Sequence, residues 1–152
     1  QPHFSEKPTG EIVYCRQDGE IFTAKLNLDN AYENVDSWTR SFTMDTKEKT
    51  LTVEDELTSN DEMKLDWMLH TLSLPKEENG CVTVLRNGIK LTIEKLEGLN
   101  ENIRISDKFD VDLNAGITHA KKAVMPPQYH IEFNTDKKKT HKIKVKFKIE
   151  KL

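Results

Sequence analysis

The chain has 152 residues, of which 36% are hydrophobic and 32% are charged, and its formal net charge at pH 7 is −3. This length suits a single domain with one hydrophobic core over residues 1–152, and the small net charge excludes a polyanion binder that relies on overall charge. No run approaches the roughly 20 apolar residues of a membrane-spanning helix. The two cysteines, Cys15 and Cys81, lack the CxxC spacing of a zinc site. They either form one disulfide or stay free.

Apolar and polar residues alternate with a period of two along most of the chain, and no segment shows convincing helical periodicity. The alternation predicts strands over 11–17, 20–28, 38–45, 49–57, 62–73, 81–86, 89–96, 102–109, 128–135 and 141–149. About ten strands joined by short polar turns predict an all-β fold, an antiparallel β-sandwich.

Two dipeptides mark tight hairpin turns. Asp18-Gly19 separates the first two predicted strands, and Asn87-Gly88 separates CVTVLR from IKLTIEKL. Both are favoured in two-residue type I′ turns. A turn at Asn87-Gly88 pairs Val84 with Leu91 and Val82 with Ile93, so both strands present the same apolar face.

The predicted strands 38–45 and 49–57 each carry one charge among apolar neighbours. A turn at Lys47-Glu48 places Arg40, which shares a face with Trp38, Phe42 and Met44, opposite Asp55, which shares a face with Leu51, Val53 and Leu57. A lone buried charge costs several kcal/mol, whereas a guanidinium and a carboxylate satisfy each other with two charge-assisted hydrogen bonds. We therefore predict a structural ion pair, with a substrate-binding Arg40 as the alternative.

His70 lies in DWMLHTLS, within the predicted strand 62–73. Alternation places it with Lys64, Asp66 and Met68 on the more polar face, opposite Leu65, Trp67 and Leu69. A solvent-facing position explains this placement, and a glycan-binding surface explains it as well.

The segment HKIKVKFKIEKL predicts a strand with apolar residues inward and a row of lysines outward, namely Lys142, Lys144, Lys146 and Lys148. One interpretation is that the lysines protect an exposed sheet edge, and the other is that they attract sulfated or uronate glycans. Nucleic acid fits poorly, because the row offers no stacking aromatic side chains.

Metal sites receive little support. The segment 110–116, DVDLNAG, has oxygen ligands at alternate positions, but its glycine comes one place late and Lys121 stands where a calcium loop has glutamate. His119, His130 and His141 are too scattered for a ligand set. We expect no metal and no cofactor.

Four segments resemble the C-terminal β-sandwich region of heparinase II/III-like polysaccharide lyases. They are AKLNLDNAY (24–32), WTRSFTMD (38–45), LTVEDEL (51–57) and WMLHT (67–71). The resemblance implies a parent enzyme with an upstream α/α toroid domain, which cleaves uronic-acid polysaccharides by β-elimination.

The same resemblance implies that the catalytic residues lie elsewhere. The family's catalytic asparagine or histidine and tyrosine belong to the toroid, and its further catalytic histidine and His/Asp metal ligands lie upstream of the position of Ala24. Only His3 precedes that position here, and His70 matches a family histidine that we do not equate with the catalytic one. We expect an isolated domain that is inactive, because β-elimination needs a base and an acid that converge on one sugar.

Three hypotheses follow. The first is the C-terminal domain of such a lyase, structural or glycan-positioning, with His70, Lys142, Lys144, Lys146 and Lys148 as candidate glycan-binding residues and an acidic polysaccharide as partner. The second is a free-standing carbohydrate-binding or adhesion module, and the third is a complete small lyase, which the missing residues disfavour.

The N-terminus QPHFSEKPTG suggests a mature or excised piece, and the resemblance implies a periplasmic or secreted protein.

Overall fold

The computed structural model describes residues 10–29, 31–107 and 128–152. The regular secondary structure of these residues consists of β-strands. The strands are β1 (Glu11–Asp18), β2 (Ile21–Asn27), β3 (Val35–Asp45), β4 (Thr50–Met63), β5 (Asp66–Thr71), β6 (Pro75–Glu78), β7 (Cys81–Arg86), β8 (Ile89–Glu97), β9 (Ile103–Ser106), β10 (Tyr129–Asn134) and β11 (Lys138–Lys151). All pairs are antiparallel. The prediction of an all-β antiparallel sandwich is confirmed.

The strands form two sheets of unequal size. An 8-stranded sheet has the order β1-β2-β3-β4-β11-β8-β7-β6, and a 3-stranded sheet has the order β5-β10-β9. The large sheet joins two runs of neighbouring strands, β1 to β4 and β6 to β8, and β11 lies between the two runs. The chain enters the small sheet at β5 and returns to it at β9 and β10.

The hydrophobic core lies between the small sheet and the β11-β8-β7 part of the large sheet. Its buried members are Val82, Val84, Ile93, Ile131, Phe133, Ile143 and Val145. No described residue of β1, β2 or β3 belongs to this cluster or packs against it. The small sheet therefore covers only about half of the inner face of the large sheet, which is the face that carries the core.

The hairpin predicted at Asn87-Gly88 is confirmed. Asn87 and Gly88 have φ values of 50° and 74°, as a type I′ turn requires, and Val84 pairs with Leu91 and Val82 with Ile93.

The turn predicted at Asp18-Gly19 is wrong by one residue. Asp18 pairs with Ile21, so the two-residue loop is Gly19-Glu20. Gly19 has a φ of 57° and Glu20 has no positive φ, which matches a turn that requires the left-handed conformation at its first central residue only. The glycine therefore occupies the first position of the loop.

The prediction of one strand over 62–73 is also wrong. β4 ends at Met63 in the large sheet and β5 begins at Asp66 in the small sheet. Between them the backbone N–H of Leu65 donates to Thr135 Oγ1 (3.0 Å) and its carbonyl accepts from the Thr135 N–H (3.0 Å). These bonds attach the chain to the end of β10, while Leu65 still packs against the core with Trp67 and Leu69.

Other strand predictions differ mainly in length. β11 starts three residues earlier than predicted, β4 extends to Met63, and β6, whose sequence PKEE lacks alternation, was not predicted. The predicted strand 102–109 is observed as Ile103–Ser106, and its residues 108–109 lie outside the described residues. The calcium-like segment 110–116, His119 and His3 also lie outside them.

His141 is buried in the large sheet, on the inner face of β11. Its side chain is 1% exposed, and its Nε2 atom lies 2.9 Å from the Lys138 carbonyl oxygen, an acceptor. Burial lowers the pKa of His141 below its usual 6.5, while the hydrogen bond to Lys138 opposes that shift. His141 is therefore a neutral core residue near neutral pH.

Gly98 follows β8 where the pairing with β11 shifts register between Lys144 and Val145. It has a φ of 78°, and a Cβ atom at this position would overlap the carbonyl oxygen of Lys142. Only glycine allows β8 to lie this close to β11 while turning away from it.

We expect Gly98→Ala to destabilise the protein by at least about 3 kcal/mol, because it adds a backbone clash to the cost of a left-handed conformation. Gly88→Ala is the matched control, since Gly88 has a similar φ of 74° and no atom within 4 Å of an added Cβ. The control should cost about 1–2 kcal/mol in urea denaturation. Equal losses would show that contact with Lys142 is unimportant.

The lowered pKa of His141 predicts a pH-dependent stability. Below pH 6.5 the unfolded state binds a proton that the folded state still rejects, so the free energy of unfolding should fall as pH decreases below that value. The His141→Leu variant removes this contribution, and its stability should fall less steeply between pH 7.5 and pH 5. Identical slopes for the two proteins in denaturant titrations would contradict a neutral His141.

Candidate functional site

The most connected polar group among the described residues is the carboxylate of Asp55, on the inner face of β4. Register places Asp55 opposite Arg40 of β3. Arg40 Nε donates to Asp55 Oδ1 (2.7 Å) and its terminal Nη2 donates to Oδ2 (2.9 Å). The predicted register is the observed one, and the ion pair is bidentate.

Two tryptophans complete the site. Trp38 Nε1 donates to Asp55 Oδ1 (2.8 Å), and Trp67 Nε1 donates to Oδ2 (3.0 Å). Asp55 is only 4% exposed, and it accepts hydrogen bonds from four N–H groups. Because Trp67 belongs to β5, the carboxylate joins the small sheet to the large one at the limit of the covered inner face.

The sequence contained a signal for these tryptophans, although the prediction paired Asp55 with Arg40 alone. Trp38 shares a face with Arg40, and Trp67 lies on the apolar face of its strand. A buried indole N–H needs an acceptor, and Asp55 is the acidic residue placed on the inner face near both. One anion accepts from the guanidinium and from both indole N–H groups, which favours a structural role for Arg40 over substrate binding.

His70 lies on the outer face of β5, where exposed and half-buried residues alternate from Asp66 to Thr71. It pairs directly with His130 of β10, and the two rings stack with centroids 6.1 Å apart and an interplanar angle of 28°. The structure therefore brings together two histidines that are far apart in sequence. His141 lies in the other sheet, and the described residues contain no group of three or more His, Cys, Asp or Glu suited to a metal ion.

The lysine row lies on the outer face of β11. β11 pairs with both β4 and β8, so the interpretation of these lysines as protection for a sheet edge is wrong. Both sides of the strand are hydrogen-bonded, because β11 joins the two halves of the large sheet. The lysines lie at its centre.

Glutamates on the neighbouring strands face the lysine row. Lys144 Nζ lies 3.2 Å from a Glu54 carboxylate oxygen, and Lys142 Nζ lies 4.0 Å from Glu54 and 3.8 Å from Glu97. Lys148 pairs with Glu150 (3.2 Å). These lysine side chains remain 34–51% exposed. The surface therefore offers ammonium groups to a ligand, but carboxylates compete for them.

The candidate glycan-binding residues do not form one site. His70 points outward from the small sheet, and Lys142, Lys144, Lys146 and Lys148 point outward from the large sheet. These two surfaces are on opposite sides of the sandwich. A glycan that contacts the lysines does not reach His70 without wrapping around the domain.

The two cysteines are free. Cys15 lies in β1 and Cys81 in β7, which are separated in the sheet by β2, β3, β4, β11 and β8. At about 4.8 Å between neighbouring strands, they are roughly 29 Å apart, far beyond the reach of a disulfide. The question of their pairing within one chain is thus settled.

None of the described residues forms a helix long and apolar enough to cross a membrane.

Structural comparison finds the same fold within part of larger lyase chains. A heparan sulfate lyase, HepC from Pedobacter heparinus, matches with a TM-score of 0.63 and 14% identity, over 94% of this chain and 22% of that chain. A heparinase III, the BT4657 gene product, matches with a TM-score of 0.62 and 12% identity, over 94% of this chain and 21% of that chain. No protein-family model and no curated protein matches the sequence significantly.

These matches show a fold shared with part of heparan sulfate lyases. The chain spans about a fifth of the length of the lyase chains that it matches. The fold implied by the segments between Ala24 and Ser73 is therefore found over nearly the whole chain.

Removing the Asp55 carboxylate should be strongly destabilising. We expect Asp55→Asn to cost about 3–5 kcal/mol, because Arg40 then keeps a partly buried charge without its partner. Trp67→Phe removes one of four donors and part of a ring that packs against the core, so it should cost about 1–3 kcal/mol. Urea denaturation followed by circular dichroism measures both, and a loss below 1 kcal/mol for Asp55→Asn would contradict the proposed connection between the sheets.

A double-mutant cycle tests the ion pair itself. Arg40→Met together with Asp55→Leu should cost clearly less than the sum of the single changes, since neither charge is left alone. It should still destabilise by about 1–3 kcal/mol, because two indole N–H groups lose their acceptor. Additive losses would show that Arg40 and Asp55 do not depend on each other.

Proposed function

We propose that the chain is the C-terminal β-sandwich domain of a heparinase II/III-like polysaccharide lyase, and that it positions an acidic glycan or supports a neighbouring catalytic domain. The observation that carries this proposal is the match of 94% of the chain to 22% of a heparan sulfate lyase. The partner would then be an upstream toroid domain of the same parent chain. The corresponding location is the periplasm or the cell exterior.

An accessory role fits the chemistry of the described side chains. β-Elimination requires a base for the C5 proton, a group that stabilises the developing enolate and an acid for the leaving group, all at one sugar. His70 and the lysine row lie on opposite sides of the domain, so they do not converge on one sugar. Glycan contact by either surface would position a polymer rather than cleave it.

The lysine row is the better candidate for glycan contact. Four lysines spaced two residues apart along β11 repeat every 6–7 Å, and sulfate or carboxylate groups recur along an acidic polysaccharide. The glutamates opposite them keep the affinity low and make it dependent on salt. His70 offers a single imidazole beside His130, which suits a localised contact.

The first experiment is a calorimetric titration of the 152-residue chain with heparan sulfate, alginate and a neutral polysaccharide at 20 mM and 300 mM salt. The same mixtures are monitored for the ultraviolet absorbance of the unsaturated product. Binding of acidic glycans without new absorbance would support the accessory role. New absorbance would overturn it, and absence of binding would leave only the supporting role.

The charge pairs on the large sheet provide a sharper prediction. Glu54→Gln releases Lys144 from its carboxylate partner and leaves Lys142 with Glu97 alone, so it should strengthen heparan sulfate binding several-fold at low salt, whereas Lys144→Glu should weaken it by about tenfold. Lys64→Glu, between β4 and β5, changes the net charge by the same amount as Lys144→Glu at a side chain that is 53% exposed, and it serves as the control. Equal effects of Lys64→Glu and Lys144→Glu would indicate a general charge effect and argue against a site on β11.

A further inference from the structure

The two edges of the large sheet differ in how they are protected. β6 has four residues, PKEE, including a proline and three charges. β1 has eight residues, EIVYCRQD, and all of them are exposed. Both edges carry three charges, but a short edge that contains proline resists pairing with other chains. β1 is twice as long, has no proline and exposes Ile12, Val13 and Tyr14 by 68%, 55% and 38%, which favours pairing.

The inner face next to β1 is mostly apolar and lacks cover from the small sheet. Ile12 pairs with Leu26 of β2, and Cys15 pairs with Ala24. Those partners in turn lie opposite Arg40 and Phe42 of β3. This row of side chains continues the core face beyond the small sheet, so an additional strand at β1 would extend an apolar surface as well as the hydrogen-bonded ladder.

A β-bulge in β1 determines which residues share a face. The register with β2 shifts between Ile12 and Tyr14, so Val13 is the extra residue. As a result Ile12 and Cys15 both lie on the inner face, and Glu11 and Arg16 both lie on the outer face. In a regular strand, residues separated by an odd number of positions would lie on opposite faces.

We propose that β1 pairs with β1 of a second copy of the chain, antiparallel and with Glu11 of each copy opposite Arg16 of the other. This register places Ile12 opposite Cys15 and Val13 opposite Tyr14. It forms two cross-strand pairs of opposite charge on the outer face, and it joins, on one side, the inner faces of both copies that the small sheet leaves uncovered. The charge pattern of β1 is thus complementary to itself.

Sedimentation velocity of the 152-residue chain over micromolar to millimolar concentrations tests the proposal. We expect a reversible dimer. Glu11→Arg and Arg16→Glu, tested alone, each place like charges opposite each other twice and should weaken dimerisation by about tenfold or more. An equimolar mixture of the two variants restores both opposite-charge pairs and should form a heterodimer. Circular dichroism confirms that each variant is folded.

A crosslink tests the register independently. Directly opposed residues of antiparallel strands have Cα atoms about 4.5–5.5 Å apart, which suits a disulfide. Ile12→Cys in a Cys81→Ser background should therefore form a disulfide with Cys15 of the other copy under mild oxidation. Cys81→Ser alone should not, because the two Cys15 residues are offset by three positions, roughly 10 Å.

Several results would overturn the proposal. They are a monomer at all concentrations, a dimer that neither charge reversal weakens, failure of the mixed variants to associate, or a dimer disrupted by the control Glu78→Arg in β6. A crosslink in the Cys81→Ser control that equals that of Ile12→Cys would also exclude this register.

Discussion

The carboxylate of Asp55 is the polar group on which the arrangement of the two sheets depends. It is buried, and the guanidinium of Arg40 and the indoles of Trp38 and Trp67 all donate to it. Trp67 also contacts the core, where its ring centroid lies 5.9 Å from that of Phe133 and 6.3 Å from that of Phe147. The same side chain therefore serves the polar and the apolar parts of the sheet interface. Because hydrogen bonds are directional and apolar packing is not, Asp55 fixes where the small sheet rests on the large one.

The local features of this fold were predictable from the sequence because they depend on neighbours along the chain. Alternation identified most strands, and the Asn87-Gly88 turn fixed a register that the structure reproduces. The register between Arg40 and Asp55 followed from a short loop between adjacent strands. In each case the residues that decide the outcome lie within about 15 positions of each other.

Apart from the one-residue error at the first turn and the unpredicted β6, the features that sequence reasoning missed depend on contacts between distant segments. Nothing local in Leu65 indicates that Thr135 will bind its backbone and end β4. The lysines of β11 suggested an edge strand, yet β4 and β8 flank it from both sides. The pairing of His70 with His130 likewise requires β10 to be placed beside β5. Sheet order is set by these long-range pairings, and period-two alternation carries no information about it.

The position of β11 has a consequence for how the protein folds. β1 to β4 form successive hairpins, as do β6 to β8, and such local pairings form quickly. The ladders from β11 to β4 and β8 join residues as far apart as Thr50 and Lys148, and pairings of such long range are slow to form. During synthesis the two hairpin groups would emerge from the ribosome with unpaired β4 and β8 edges, which are prone to misassociation until β11 has been made. The last ladders of the large sheet to form are therefore those at its centre, on both sides of β11, rather than those at its edges.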